Sequence, residues 1–197
     1  QDLVKAIPEL VRDRKMDEAR VALSKLDQMV KEAEDLKRRQ AEAKQKVDAV
    51  FKDYLQRGQA AMKAVATAHA ASATARQTLT AAVDTVAKPA QASDFITSAQ
   101  GIDAWRQALE AFEAIRVQYD KDLKRFEDEK KGIQTLMSDA GKITAVTPEI
   151  GQLVQAYAAA LTKMTDLAKV ADWPAATEAL FKLAVAGDEL TRAKTRY

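Results

Sequence analysis

The chain carries one histidine and no cysteine, so few side chains are available for acid–base, nucleophilic or metal chemistry near neutral pH. His69 stands in the run Ala66-Thr67-Ala68-His69-Ala70, with no glutamate three residues before it. The Glu-x-x-His pairs of di-iron bundles and the His-Glu-x-x-His helix of zinc proteases are therefore both absent. A catalytic His69 would need a serine or carboxylate from a distant segment, and the local sequence supplies none. Glycine-rich phosphate loops of either common pattern are missing too.

Charged runs exist, but their spacing suits solvated helix faces. Glu127, Asp128 and Glu129 are followed directly by Lys130 and Lys131, which favours ion pairs three and four residues apart over an acid pair in an apolar pocket. The densest basic run, Lys37, Arg38, Arg39, Lys44 and Lys46, is interrupted by Glu32, Glu34, Asp35 and Glu42 on and around it. It has no interleaved aromatics for base stacking, which argues against nucleic acid. The expectation is a protein that is not an enzyme and holds no cofactor and no metal.

Composition points the same way. The chain has 197 residues, 47% hydrophobic and 30% charged, with 31 basic against 29 acidic residues and a formal charge of +2. That charge is too small to hold nucleic acid or an anionic membrane by bulk attraction. Six glycines and four prolines are too few for the turns of a sandwich or barrel. No apolar run is long enough for a transmembrane segment. Gln1 in place of an initiator methionine leads to the expectation of a piece of a longer protein. With no cysteine to report on redox compartment, localisation is left open.

The elements that must position any functional residue are helices. Breakers at Gly58, Lys88-Pro89, Gly101, Gly141, Thr147-Pro148 and Asp172-Trp173-Pro174 predict helices near 2–14, 17–57, 60–87, 102–140, 148–170 and 173–196. A short turn is expected at 93–100, with Ser93 capping Phe95-Ile96. Within 102–140, Trp105, Leu109, Phe112, Arg116, Tyr119, Leu123, Phe126, Lys130, Ile133, Met137 and Ala140 follow a four–three spacing, a heptad seam. At about 1.5 Å per residue that helix would be about 58 Å long. The next two helices carry Ile150, Leu153, Tyr157, Leu161 and Met164, then Trp173, Ala176, Leu180, Leu183 and Leu190.

The fold class expected is all-α: an elongated antiparallel bundle of long coiled-coil-like helices. The domain reading is a first helical unit at 1–101 and a second at 102–197 sharing a continuous core. Three segments share one spacing: Met16, Ala19, Leu23, Leu26; Trp105, Ala108, Phe112, Ile115; and Trp173, Ala176, Leu180, Leu183. They raise the prospect of a helical repeat. This architecture resembles spectrin-type three-helix repeats and related bacterial helical stalk domains. The resemblance implies tandem three-helix units; the tryptophan positions depart from the spectrin pattern, and no family chemistry is carried over.

The second expected helix has a seam that is apolar at both ends and reads Lys37, Gln40, Lys44 in its middle. A hairpin at Gly58 would set that middle against His69, Ser72 and Arg76, amid many alanines. The alternative is one unbroken helix through Gly58, since a lone glycine costs only about 1 kcal/mol. Solvent exposure is the first reading of that polar seam, and a ligand or partner helix is the second. Trp105 and Trp173, each beginning a helix, are read first as core anchors and second as exposed anchors for a partner. Tyr197 is read as packed on the last seam or as the start of a further unit. The function expected is a scaffold and protein-interaction module, a spacer with a docking surface, with a protein partner and homo-oligomerisation both in view. Two alternatives stand beside it: a bundle that binds a ligand or partner helix in the Ala-lined seam, and a non-catalytic helical region of a large bacterial surface protein or toxin.

Overall fold

Capping chemistry sets where the helices begin and end. The computed structural model describes residues 2–196, and among them the chain is all-α, with no strand. In chain order the helices are α1 (Asp2–Arg12), α2 (Met16–Ala64), α3 (Ala73–Gln91), α4 (Phe95–Gln100), α5 (Ile102–Gly132), α6 (Gln134–Ala140), α7 (Pro148–Lys169) and α8 (Trp173–Thr195), with a 3-10 turn at Ala70–Ser72. Thr147 and Asp172 cap α7 and α8 as their residue types predict, accepting from the amides of Ile150 at 3.2 Å and Ala175 at 3.3 Å. Pro148 sits where its missing N–H costs nothing. Tyr197 lies outside the described residues.

Three connections share one device. Arg14, Ser93 and Ala171 adopt left-handed backbone with φ of 61°, 62° and 57°. In each case the next amide donates back to a carbonyl five residues earlier: Lys15 to Leu10, Asp94 to Pro89 and Asp172 to Leu167. This closure is the usual province of glycine, so the sequence gives no warning of it here. It also moves one expected cap: Asp94, not Ser93, accepts from the Thr97 amide at 3.1 Å and starts α4.

The break expected at Gly58 is corrected in favour of the unbroken helix. α2 runs through it. Gly58 is buried, and the methyl groups of Leu79 and Leu109 stand 3.8 Å from where a Cβ would be, so tertiary packing outweighs its weak helix propensity. The chain turns instead at residues 65–72. There Arg76 reaches back, its Nη1 donating to the carbonyl of Met62 and its Nη2 to that of Val65, both at 3.0 Å. A cation on the last carbonyls of a helix complements both their unpaired lone pairs and the helix dipole.

A second correction concerns 102–140, where the expected single helix is two. Ile133, with φ −105° and ψ 9°, separates α5 from α6. Nothing lies within 4 Å of where a Gly132 Cβ would be. Here no packing offsets the glycine's entropic cost, and the helix stops. Pro89, expected to end the third helix, lies inside its last turn, and α3 extends to Gln91.

Two compact units emerge. One comprises the chain through Lys52 with Val83–Asp103; the other comprises Asp53–Ala82 with Ala104 onward. They interleave in sequence because α2 and α3 each supply a stretch to both, whereas the expected division at 101/102 follows chain order. In the first unit the buried residues are Ala19, Ala22, Ala43, Val47, Val86 and Ser98. Ser98 donates to the Val86 carbonyl at 2.8 Å. Gly101 lies so close to Thr85 and Val86 that a Cβ would stand 2.8 Å and 2.9 Å from their side chains.

The second unit buries large side chains. Trp105, Phe112, Leu79 and Leu109 are fully enclosed, as are Ile150, Leu180, Leu183 and Leu190. α7 and α8 form an α-hairpin across which Tyr157, Met164, Leu180 and Leu183 share one core with Phe126 and Ala140. Gly187 lets Leu136 and Tyr157 come close to α8, and the Tyr157 hydroxyl donates to the Met137 carbonyl at 3.0 Å.

Candidate interaction surfaces

The residues singled out from sequence fall into three groups. Lys37, Gln40 and Lys44 belong to the first unit; His69, Ser72 and Arg76, with the two tryptophans, belong to the second. Gln40 and Lys44 are brought together around the start of α4. The Gln40 side chain accepts from the Phe95 amide at 3.0 Å, and the Lys44 ammonium lies 5.5 Å from the centre of the Phe95 ring. Lys44 also pairs with Asp48. Lys37 is exposed. The polar middle of the α2 seam is thus partly spent on holding a six-residue helix that periodicity did not place there.

His69, Ser72 and Arg76 come together at the turn after α2. The Ser72 hydroxyl donates to the His69 carbonyl at 2.8 Å and closes the 3-10 turn. Arg76 caps α2 and lies over the Phe112 ring at 5.4 Å, a cation–π contact in a partly buried setting. The His69 ring meets Tyr119 edge-on at 5.1 Å, and its Nδ1 is buried without a hydrogen-bond partner. The Ser72 hydroxyl and both terminal nitrogens of Arg76 are therefore used within the chain, while the Arg76 Nε is buried without a partner. No group of three potential metal ligands occurs among the described residues.

Trp105 has no exposed surface and packs edge-on against Tyr54 at 5.5 Å. Trp173 is half-buried, with Tyr119 at 6.0 Å and Phe126 at 5.4 Å. Near Trp105, Arg57 makes a two-pronged pair with Glu113, at 3.0 Å and 2.7 Å, joining α2 to α5. The hydrogen bonds from Arg57 hold the Glu113 carboxyl below the usual glutamate range, against a smaller opposing effect of burial.

The surface that sequence reasoning missed lies on α2. From 23 to 42, about 30 Å of helix, no residue is buried. Leu23, Met29, Val30 and Leu36 are all roughly half exposed, from 47% to 54%. Leu26 and Ala33 continue the same stripe, which joins the packed positions Ala19 and Ala22 to Ala43 and Val47. Ion pairs along the helix, Lys31 with Asp27 and Arg38 with Asp35 and Glu42, support it locally, and such pairs contribute a few tenths of a kcal/mol each. The signal was present in the apolar ends of the seam, but periodicity identifies a face and not what covers it. No helix among the described residues is long and apolar enough to cross a membrane. Compared with known proteins, the chain matches no family model, no curated protein and no solved structure.

Proposed function

We propose that this chain is a helical scaffold and protein-interaction module that works by contact rather than by catalysis, with the stripe on α2 as its docking face. The observation that carries the reading is the run of 20 residues without one buried side chain, in a helix whose apolar stripe is packed on either side of that run. Contiguous exposed apolar surface of this kind marks interaction sites in folded proteins. A helix laid into a partner's groove is read through anchors spaced three and four apart, as Leu26, Met29, Val30, Ala33 and Leu36 are. The module would serve as part of a longer protein and hold its partner at a fixed place along α2.

A photo-crosslinking residue placed at Val30, and separately at Val117 on α5 as a control of similar exposure, tests this in extract from the native host. The reading expects one defined adduct from position 30, absent from position 117 and lost when Leu23 and Leu36 are both changed to glutamate. Equal labelling from both positions, or an adduct indifferent to the two glutamates, would sink it.

A further inference from the structure

The turn after α2, the middle of α5 and the α7–α8 connection enclose a cleft of about 460 Å³ within the second unit. That volume lies in the range of small-molecule sites. Ala70 and Ala71 leave it open, Ile115, Val170 and Pro174 give it apolar walls, and His69 packed against Tyr119 forms a fixed side. The charged residues lining it are Asp122 and Asp172, both acidic. Each has one oxygen engaged by an uncharged donor: Gln118 Nε2 meets Asp122 Oδ1 at 3.0 Å, and the Ala175 amide meets Asp172 Oδ1 at 3.3 Å. Neither meets a lysine or arginine, although nearby acids do: Asp120 pairs with Arg116, Asp166 with Lys169 and Glu178 with Lys182.

An apolar cleft with two carboxylates and no resident cation is complementary to a positively charged ligand. We infer that this cleft binds an organic cation, its ammonium head directed at Asp122 and Asp172 and its apolar body against Ala70, Ile115, Val170 and Pro174. The cation is a free amine or the basic side chain of a peptide; both present the same chemistry to the cleft. The site is separate from the α2 stripe and does not depend on it.

The test is a titration of the whole chain, read by chemical shifts of the Ile115 methyl groups and the Tyr119 ring. The probes are 2-phenylethylamine, its uncharged analogue 2-phenylethanol, the anion 3-phenylpropionate, and a capped phenylalanyl-lysine amide standing for a protein side chain. Saturable shifts from either cation are expected, with the tighter of the two naming the source. The alcohol should bind more weakly and the anion not at all. Changing Asp122→Asn and Asp172→Asn together should weaken the cation about tenfold or more, each tenfold being about 1.4 kcal/mol. Asparagine at 172 keeps the α8 cap, and an unchanged melting temperature verifies the fold. Ala70→Leu should fill the cleft and abolish binding by every probe. No saturable shift from either cation, an anion that binds as well as the amine, or cation binding indifferent to Ala70→Leu would overturn the inference.

Discussion

The two units are built from one kind of sequence and end in opposite states. Trp105, Ala108, Phe112 and Ile115 on α5 and Trp173, Ala176, Leu180 and Leu183 on α8 share their spacing with Met16, Ala19, Leu23 and Leu26 on α2. On α5 and α8 every one of these is buried or half-buried; on α2 Met16 and Leu23 are 55% and 51% exposed. The second unit encloses tryptophan, phenylalanine and leucine, whereas the first fully buries nothing larger than valine and leaves its larger apolar side chains half-buried or exposed. Periodicity fixes which face of a helix is apolar. Burial needs a neighbour, and over residues 23–42 no residue is buried, although Gln40 reaches the Phe95 amide at one end of the stretch. That difference is why we place the docking face on α2 and the stable core elsewhere.

Core truncation should expose the difference most strongly. Phe112→Ala is expected to cost about 3–5 kcal/mol, and Val47→Ala, the largest truncation the first unit's core on α2 allows, about 1–2 kcal/mol. Guanidinium unfolding of both variants checks this, and similar costs would erase the contrast. Arg76→Met comes next. It keeps volume over Phe112 but strips the two donors from the Met62 and Val65 carbonyls, with an expected loss of about 2–3 kcal/mol. A change near zero would mean that the turn at 65–72 does not rely on this cap.

Glycine substitutions should move stability in opposite directions. Gly101→Ala drives a Cβ into the β-branched side chains of Thr85 and Val86 and is expected to cost about 1–3 kcal/mol. Gly58→Ala meets only ordinary contacts at 3.8 Å and gains helix propensity, so it should stabilise by about 0.5–1 kcal/mol. Destabilisation by Gly58→Ala would restore the hairpin that the unbroken helix replaces. The Arg57–Glu113 pair has the smallest effect. Its carboxyl is held below the usual range, so its contribution is fully present above the ordinary glutamate pKa and is lost as pH falls through the lowered folded value. Both side chains are partly exposed, and the pair should contribute about 0.5–1 kcal/mol. Stability measured against pH should lose that acid-side fall in Glu113→Gln.

Much of the fold is legible in residue spacing. The seam from Trp105 to Phe126, the capped starts of α7 and α8, and the core positions Tyr157, Met164, Leu180 and Leu183 follow from periodicity and capping alone. The connections are less legible, for definite reasons. Gly58 is held in helix by Leu79 and Leu109, and Gly132 is not held by anything, though the two look alike in sequence. The real reversal at 65–72 contains neither glycine nor proline and is secured from eleven and fourteen residues away by Arg76. Left-handed closures fall on Arg14, Ser93 and Ala171 rather than on glycines. Among the candidate residues, Gln40, Ser72 and Arg76 make intramolecular hydrogen bonds that only the fold reveals. The cleft beside His69 is lined by Asp122 on α5 and by Asp172 at the cap of α8, far apart in sequence, and no local signal joins them.

Amide hydrogen exchange along the isolated chain tests the contrast most directly. Helix held only by its own ladder opens far more readily than helix locked by tertiary packing. Peptides spanning 23–42 are predicted to exchange much faster than those spanning 105–126 and 176–190. Equal protection across all three would show that α2 is already covered, and would contradict the account of residues 23–42 as an open apolar face.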